Sequence, residues 1–311
     1  MSKLPTLILN IGYHKTATTC WQHDIFPIID SINYIGRKYN GDPYFPAKPN
    51  IFNRRRFALN IQLNNWLNNY TQQLDVDYDS SFQNSFLDKH NLTSKSKINV
   101  LSSENILRPF CVEESIKRFS GLKERYNLKI LVFIRNQYDI IISRYIHDIQ
   151  EKYNSEFKYS IIDSLSDSPG IECKWPFCSH GIQVCSCDSI GKKIISPQFY
   201  NYLELYNKLK KKFTASQVYF FPMESLKNKS KERVKKLLDF IGIDSSDEII
   251  RNILGAKPIG GRSKEFKQEF FRTQEKEIEK LKKYCNNYYS PSNSKLSELY
   301  KMNLSEFNYP S

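Results

Sequence analysis

The amino-acid sequence predicts an α/β protein, a central parallel sheet flanked by helices, in a single domain over residues 1–311. Three observations predict it. Short, nearly continuous apolar runs recur along the chain, the signature of strands buried on both faces. Each is followed by a polar turn and a stretch of helical period, the alternation that winds a parallel sheet. The composition is 40% hydrophobic and 25% charged, with 20 Phe, 20 Tyr and 3 Trp. That is enough apolar matter to fill a core and excludes wholesale disorder.

The first run, Leu7-Ile8-Leu9-Asn10-Ile11, ends at Gly12. The segment TATTCWQHDIFPII that follows can form a helix until Pro27 interrupts it. The second run, Ile98-Asn99-Val100-Leu101, closes at Ser102-Ser103-Glu104. The third and most apolar, Lys129 to Ile134, closes at Arg135, and the fourth, Gln217 to Phe221, closes at Pro222. Helical patterns lie near 56–74, 112–126, 137–152, 197–212, 229–241 and 264–286. Residues 40–95, rich in Asn, Gln, Tyr and Arg, read as a helical insertion, and residues 153–196 as an irregular, cysteine-containing excursion over the site. There is no internal repeat.

The chain carries 46 basic and 33 acidic residues, a net charge of +13, with a pI near 9.2. That surplus favours anionic partners without choosing among them, and Lys-, Asn- and Ile-rich coding bias accounts for part of it. No recognisable nucleic-acid module is present, so a nucleic-acid partner is not expected. No apolar run approaches the roughly 18 residues of a membrane span. The apolar stretch after Met1 is too short for a signal peptide, which predicts a cytoplasmic protein.

In doubly wound sheets ligands sit beyond the carboxyl ends of the strands, so the residues there carry the chemistry. After the first strand come Gly12-Tyr13-His14-Lys15-Thr16-Ala17-Thr18-Thr19. A glycine at the strand end allows a tight turn, and the amides beyond it can converge on an anion at a helix N-terminus. A lysine and three hydroxyls add hydrogen bonds for phosphate-like oxygens. The nucleotide-triphosphate loop G-x-x-x-x-G-K-[ST] would require glycines where Leu9 and His14 stand. No strand ends in the aspartate that would hold magnesium. Both points count against a nucleotide kinase or an ATP hydrolase.

Ile11 to Thr19, followed by Gln22, resembles the 5′-phosphosulfate-binding loop of sulfotransferases, which use 3′-phosphoadenosine 5′-phosphosulfate (PAPS) as sulfuryl donor. The usual form is G-x-x-K-T-G-T-T, and Ala17 stands in place of the last glycine. A second match follows the third strand. Arg135, Asp139 and Ser143 have the spacing of the family's 3′-phosphate motif, an arginine at the strand end and a serine eight residues on. Val218 to Leu226 followed by LLDFIGI, and the stretch SPSNSKLSELYKMNLSEFNYP, are also similar to the family's strand, turn and ending. Gly260-Gly261-Arg262-Ser263 sits where family members place a loop closing over the 3′-phosphate. The resemblance covers nearly the whole chain, weakly at 40–95 and 153–196. It implies a P-loop-like sulfotransferase fold and a PAPS-dependent enzyme whose nucleotide product is adenosine 3′,5′-bisphosphate.

The resemblance assigns roles. Gly12, Thr16, Ala17, Thr18 and Thr19 hold the 5′-phosphate, and Lys15 stabilises the charge growing on the bridging oxygen. Arg135, Ser143, Arg262 and Ser263 take the 3′-phosphate. The attacking hydroxyl or amine needs a base. Glu104 at the end of the second strand is the favoured one, and His14 the second. The chemistry requires no metal. A carbohydrate hydroxyl is the preferred acceptor, with a lipid, a small metabolite or a phenol open. The alternatives are a nucleotide or small-molecule kinase and a non-catalytic anion- or nucleic-acid-binding protein.

Structural readings stand beside these. Arg135 could pair with Asp139, and Glu104 could serve as a helix N-terminal carboxylate. Cys173, Cys178, His180, Cys185 and Cys187 are too irregularly spaced for an ordinary zinc site, leaving free thiols, metal or disulfides open. Cys20, Cys111 and Cys285 read as small apolar residues. Arg54-Arg55-Arg56 reads as a solvated charge run, Trp66 and Tyr70 as packing, His147 as a helix-surface residue and Tyr200 as core.

Overall fold

The structure, a computed structural model, describes residues 4–13, 16, 20–35, 98–102, 112–152, 160–162, 165, 197–256 and 264–311. The chain falls into two compact units, Met1–Phe133 with Lys212–Ile259, and Ile134–Lys211 with Gly260–Ser311. The 40–95 insertion, the four cysteines of the 153–196 excursion, Cys111, Arg54 to Arg56, Trp66 and Tyr70 lie outside the described residues, as does the side chain of His147.

The first unit is built on a five-stranded parallel sheet of β1 (Thr6–Asn10), β2 (Ile32–Ile35), β3 (Ile98–Ser102), β4 (Asn127–Ile134) and β5 (Val218–Pro222). Their order in the sheet is β2-β3-β1-β4-β5. The central strand has Leu7, Ile8 and Leu9 all fully buried, which is why its sequence runs apolar without alternating. Its register pairs Asn10 with Ser102 on one side and with Leu131 on the other. The ladder continues one residue further through Ile11 N–H donating to the Leu131 carbonyl. Asn residues fix the register at the amino ends. Asn33 Nδ2 donates to Asn99 Oδ1 at 2.9 Å, and Asn99 Nδ2 donates to the Thr6 carbonyl at 3.1 Å.

The four strands expected from apolar runs are present, and the sheet adds a fifth. Strand β2 pairs with β3 alone, Ile32 against Ile98 through Ile35 against Leu101. As an edge strand it alternates Ile32, Asn33, Tyr34, and so short a period-2 pattern does not stand out from a loop.

Around the sheet run α1 (Val112–Ser120), α4 (Glu224–Lys227), α5 (Lys231–Ile241) and α6 (Asp247–Gly255) in the first unit. The second unit holds α2 (Gln137–Lys152), α3 (Tyr202–Lys210), α7 (Lys264–Thr273) and α8 (Glu275–Tyr300). The expected helix over 264–286 is two helices, parted at Gln274. The second of them runs on through Pro291 to Tyr300. Helix α6 was not expected. It is capped by Ser246, whose hydroxyl accepts from Ile249 N–H.

After β1 the chain makes a π-helical turn, Trp21–Ile25, then a 3₁₀ turn, Phe26–Ile28. The indole of Trp21 stacks on Phe133 at 4.9 Å between ring centres and meets Phe221 edge-on at 5.6 Å. Phe133 and Phe221 are themselves edge-on at 5.8 Å. This aromatic cluster anchors the turn to the β4–β5 side of the sheet, within the same core as Val234, Leu237, Leu238 and Ile241 of α5. Helix α5 ends at Gly242, where φ is +94° and the N–H donates to the Leu238 carbonyl, a conformation that favours glycine.

Trp21→Ala removes the ring that both phenylalanines pack on and leaves a cavity. The expected loss is about 3–5 kcal/mol of unfolding free energy. Urea denaturation checks it, with Lys235→Ala on the exposed side of α5 expected to stay near wild type.

Candidate functional site

The central strand is where the strand order reverses, since the chain proceeds to one edge through β3 and β2 and to the other through β4 and β5. In sheets of this kind ligands bind outside the carboxyl end at that reversal. Strand β1 hands over there to Ile11, Gly12 and Tyr13, all buried. Thr16 is fully buried, and its hydroxyl donates to the Tyr13 carbonyl at 2.6 Å. That bond commits the Thr16 hydroxyl proton to the Tyr13 carbonyl.

At the carboxyl end of β1 lies a buried polar cluster. Asn10 Nδ2 and Gln22 Nε2 both donate to Ser102 Oγ, at 2.8 and 2.9 Å. All three side chains are buried. Two amide donors occupy the lone pairs of Ser102, which leaves its hydroxyl proton to give. Asn10 Oδ1 is a buried acceptor with no partner among the described residues. The cluster ties three segments together. Asn10 comes two residues before Gly12, Gln22 stands three residues after Thr19, and Ser102 two residues before Glu104. Of the residues expected to hold the 5′-phosphate, the structure describes Gly12 and Thr16. His14, Lys15, Ala17, Thr18, Thr19 and Glu104 lie outside the described residues.

Arg135 follows directly on the last residue of β4 and belongs to the second unit. Its main chain is held by Tyr202, whose hydroxyl accepts from Arg135 N–H at 3.3 Å and donates to the Arg135 carbonyl at 2.5 Å. Asn136 caps α2, its Oδ1 accepting from Tyr138 N–H at 2.9 Å and from Asp139 N–H at 3.4 Å. The Arg135 guanidinium, about a quarter exposed, lies 4.0 Å from the Asp139 carboxylate. The salt bridge considered from sequence is therefore present, at the outer limit of contact. A partly exposed pair of this kind contributes roughly 0.3–0.5 kcal/mol, too little to explain a buried frame around the arginine. Asp139 and Ser143 are four residues apart on α2 and so share a helix face. Ser143 is half-buried. Arg262 and Ser263 lie outside the described residues.

Two cysteines behave as the sequence suggests. Cys20 and Cys285 are buried and free. Burial pushes the Cys20 thiol up to about 12, with Asp24 adding to the effect, and burial pushes Cys285 up to about 12. Both stay protonated near neutral pH and neither is a nucleophile. Tyr200 is a core residue, only 1% exposed. Among the described residues no group of His, Cys, Asp and Glu could hold a metal ion. Among them too, no helix is long and apolar enough to cross a membrane.

Asn10, Ser102, Asn136 and Tyr202 carry the frame of both places, and sequence reasoning did not single them out. An asparagine just before a helical stretch was a legible capping signal at Asn136. Nothing local marks Tyr202, which comes 67 residues after Arg135.

A family model described as "Sulfotransferase domain" matches residues 5–259. Among solved structures, a sulfotransferase from Alicyclobacillus acidocaldarius aligns over 99% of this chain and 100% of its own, at 14% identity and a TM-score of 0.53. The sulfotransferase domain from the curacin biosynthetic pathway aligns over 84% and 82%, at 10% identity and a TM-score of 0.38. Mouse sulfotransferase SULT7A1, complexed with PAP, aligns over 92% and 90%, at 12% identity and a TM-score of 0.39. No curated protein sequence matches this chain. The architecture is the P-loop-like sulfotransferase fold.

Ser102→Ala strands the amides of Asn10 and Gln22 in the interior. The expected loss is about 1–3 kcal/mol of stability, while Ser102→Thr, which keeps an acceptor oxygen, loses less. Chemical denaturation of the two variants beside wild type measures the difference.

Proposed function

The chain belongs to the sulfotransferase domain family, and from that premise we propose that it moves a sulfuryl group from PAPS to an acceptor hydroxyl or amine. It is an enzyme of that family, which sets aside the kinase and binding-only readings. We further propose that the acceptor is a carbohydrate. A cytoplasmic setting suits the free thiols of Cys20 and Cys285.

The observation that carries the donor reading is the treatment of Arg135. A buried tyrosine brackets its peptide, and its guanidinium keeps a partly exposed position at a strand end. A planar fork so held suits a phosphate group. The sequence carries the donor types for a nucleotide with phosphates at both ends: a glycine with a lysine and hydroxyl residues after the first strand, and separately an arginine with a serine eight residues on. PAPS supplies the sulfuryl group and a phosphate leaving group.

The chain's own residues do the rest. The amides of the 12–19 loop hold the 5′-phosphate, with Gly12 permitting a close approach. Lys15 neutralises the charge that grows on the bridging oxygen as the sulfur–oxygen bond breaks. Arg135 and Ser143 take the 3′-phosphate, and Arg262 and Ser263 close over it. Glu104 accepts the proton of the attacking hydroxyl, and His14 is the second candidate for that role. The Asn10–Gln22–Ser102 cluster supports both the loop and the segment leading to Glu104.

Adenosine 3′,5′-bisphosphate at about 100 times its Kd is expected to stabilise the protein by roughly 2.7 kcal/mol, read as a thermal shift, with ATP–magnesium and short DNA giving none. Stabilisation by ATP or DNA and not by the bisphosphate would end the donor reading. Glu104→Gln is expected to lower turnover with labelled PAPS and a panel of glycans by roughly 10²–10⁴-fold while bisphosphate binding persists. Unchanged turnover removes Glu104 from the mechanism. If only non-carbohydrate acceptors become labelled, the glycan assignment falls.

A further inference from the structure

A strand-to-helix turn needs one cap, and the turn after β4 has far more than that. Asn136 supplies the cap through Oδ1 and uses the other end of its amide to donate to the Asn308 carbonyl. Gln137 and Asn293 form a reciprocal amide pair, with Nε2 to Oδ1 at 2.8 Å and Nδ2 to Oε1 at 3.1 Å. The second hydrogen of Gln137 Nε2 goes to the Tyr200 carbonyl at 3.4 Å, and that of Asn293 Nδ2 goes to the Pro310 carbonyl at 2.9 Å. All the amide hydrogens of this pair therefore have acceptors. Tyr202, which brackets the Arg135 peptide, also meets the ring of Tyr309 edge-on at 6.4 Å. Tyr202 and Gln137 are fully buried and Asn293 is 1% exposed.

Residues 135, 136 and 137 are thus each tied by polar bonds, those of Arg135 and Asn136 part-buried and those of Gln137 buried; the Asn308 carbonyl accepts from Asn136 across 172 residues, and the Pro310 carbonyl accepts from Asn293. A largely buried network whose members are satisfied rigidifies the chain it holds. Here it holds the peptide from which the partly exposed Arg135 guanidinium projects. A guanidinium fork binds phosphate through two parallel bonds and tolerates little rotation of its base.

We infer that Tyr202, Asn136 and the Gln137–Asn293 pair, closed by residues 308–310, are positioning residues that aim Arg135 and so set the preference for a 3′-phosphorylated nucleotide. The inference rests on the reading of Arg135 as a 3′-phosphate ligand and goes beyond it in naming what orients the arginine. A network serving stability alone would lower the unfolding midpoint and leave ligand preference unchanged. A positioning network alters the preference itself.

The experiment is calorimetric titration of the full chain with adenosine 3′,5′-bisphosphate and with adenosine 5′-monophosphate, on wild type, Arg135→Ala, Tyr202→Phe and Asn136→Ser. The ratio of the two dissociation constants is the readout. Tyr202→Phe deletes one oxygen and keeps the ring. Asn136→Ser keeps an N-capping oxygen and loses the bond to Asn308. Each is expected to reduce the ratio on the order of tenfold, as loss of an outer partner does for a metal ligand, with monophosphate affinity unchanged. A wild-type ratio in both variants, or equal weakening of both ligands, overturns the inference. If wild type shows no preference, or Arg135→Ala keeps it, the ligand reading of Arg135 fails first and the inference fails with it. Should Tyr202→Phe not fold, Asn136→Ser decides alone.

Discussion

A strand with no exposed residue can carry polar chemistry at its end only if other buried groups meet it there. Strand β1 is such a strand. Leu7, Ile8 and Leu9 are sealed between β3 and β4, and the first polar side chain at the carboxyl end, Asn10, is fully buried as well. Leaving a buried amide unpaired costs about 1–3 kcal/mol, so the fold must bring a partner. Ser102 comes from the neighbouring strand in the paired register position, and Gln22 from the turn that follows the loop. The sheet register, the anchorage of the Trp21 turn and the start of the segment toward Glu104 all meet in this one hydroxyl.

The second unit meets the same constraint by other means. The main chain after β4 leaves a ladder before its helix begins, and its polar groups need partners at the crossing. Tyr202 serves the Arg135 peptide and Asn136 caps the helix, while Gln137 is paired inside α8's contact surface by Asn293. Pro291 lies two residues before Asn293 in the middle of α8, where it removes one intrahelical bond. The helix continues past it, with Ser292 Oγ donating to the Tyr289 carbonyl and Tyr289 donating to the Pro197 carbonyl. Satisfied polar pairs thus replace apolar packing around the arginine, and they impose direction that apolar packing lacks.

Much of this was legible in the sequence, for local reasons. Nearly continuous apolarity marked β1, β3, β4 and β5, because a strand covered on both faces has few polar positions to interrupt it. Helix α2 was readable from its first residue to its last, starting after an asparagine that can cap it. Strand β2 was not, since an edge strand of four residues alternates as a loop can. The break at Gln274 and the run of α8 through Pro291 were not either, because a proline signals an end locally and only packing overrides it.

By itself the sequence determined the α/β class, the strand ends where chemistry belongs and the family, since these depend on periodicity and on short motifs of fixed spacing. Only the tertiary structure decided which buried groups hold those ends. Ser102 answers Asn10 across 92 residues, Tyr202 answers Arg135 across 67, and Asn293 answers Gln137 across 156. The physical reason is that a hydrogen bond between distant residues leaves no period along the chain. It exists only once the backbone has brought donor and acceptor within about 3 Å of each other, away from water.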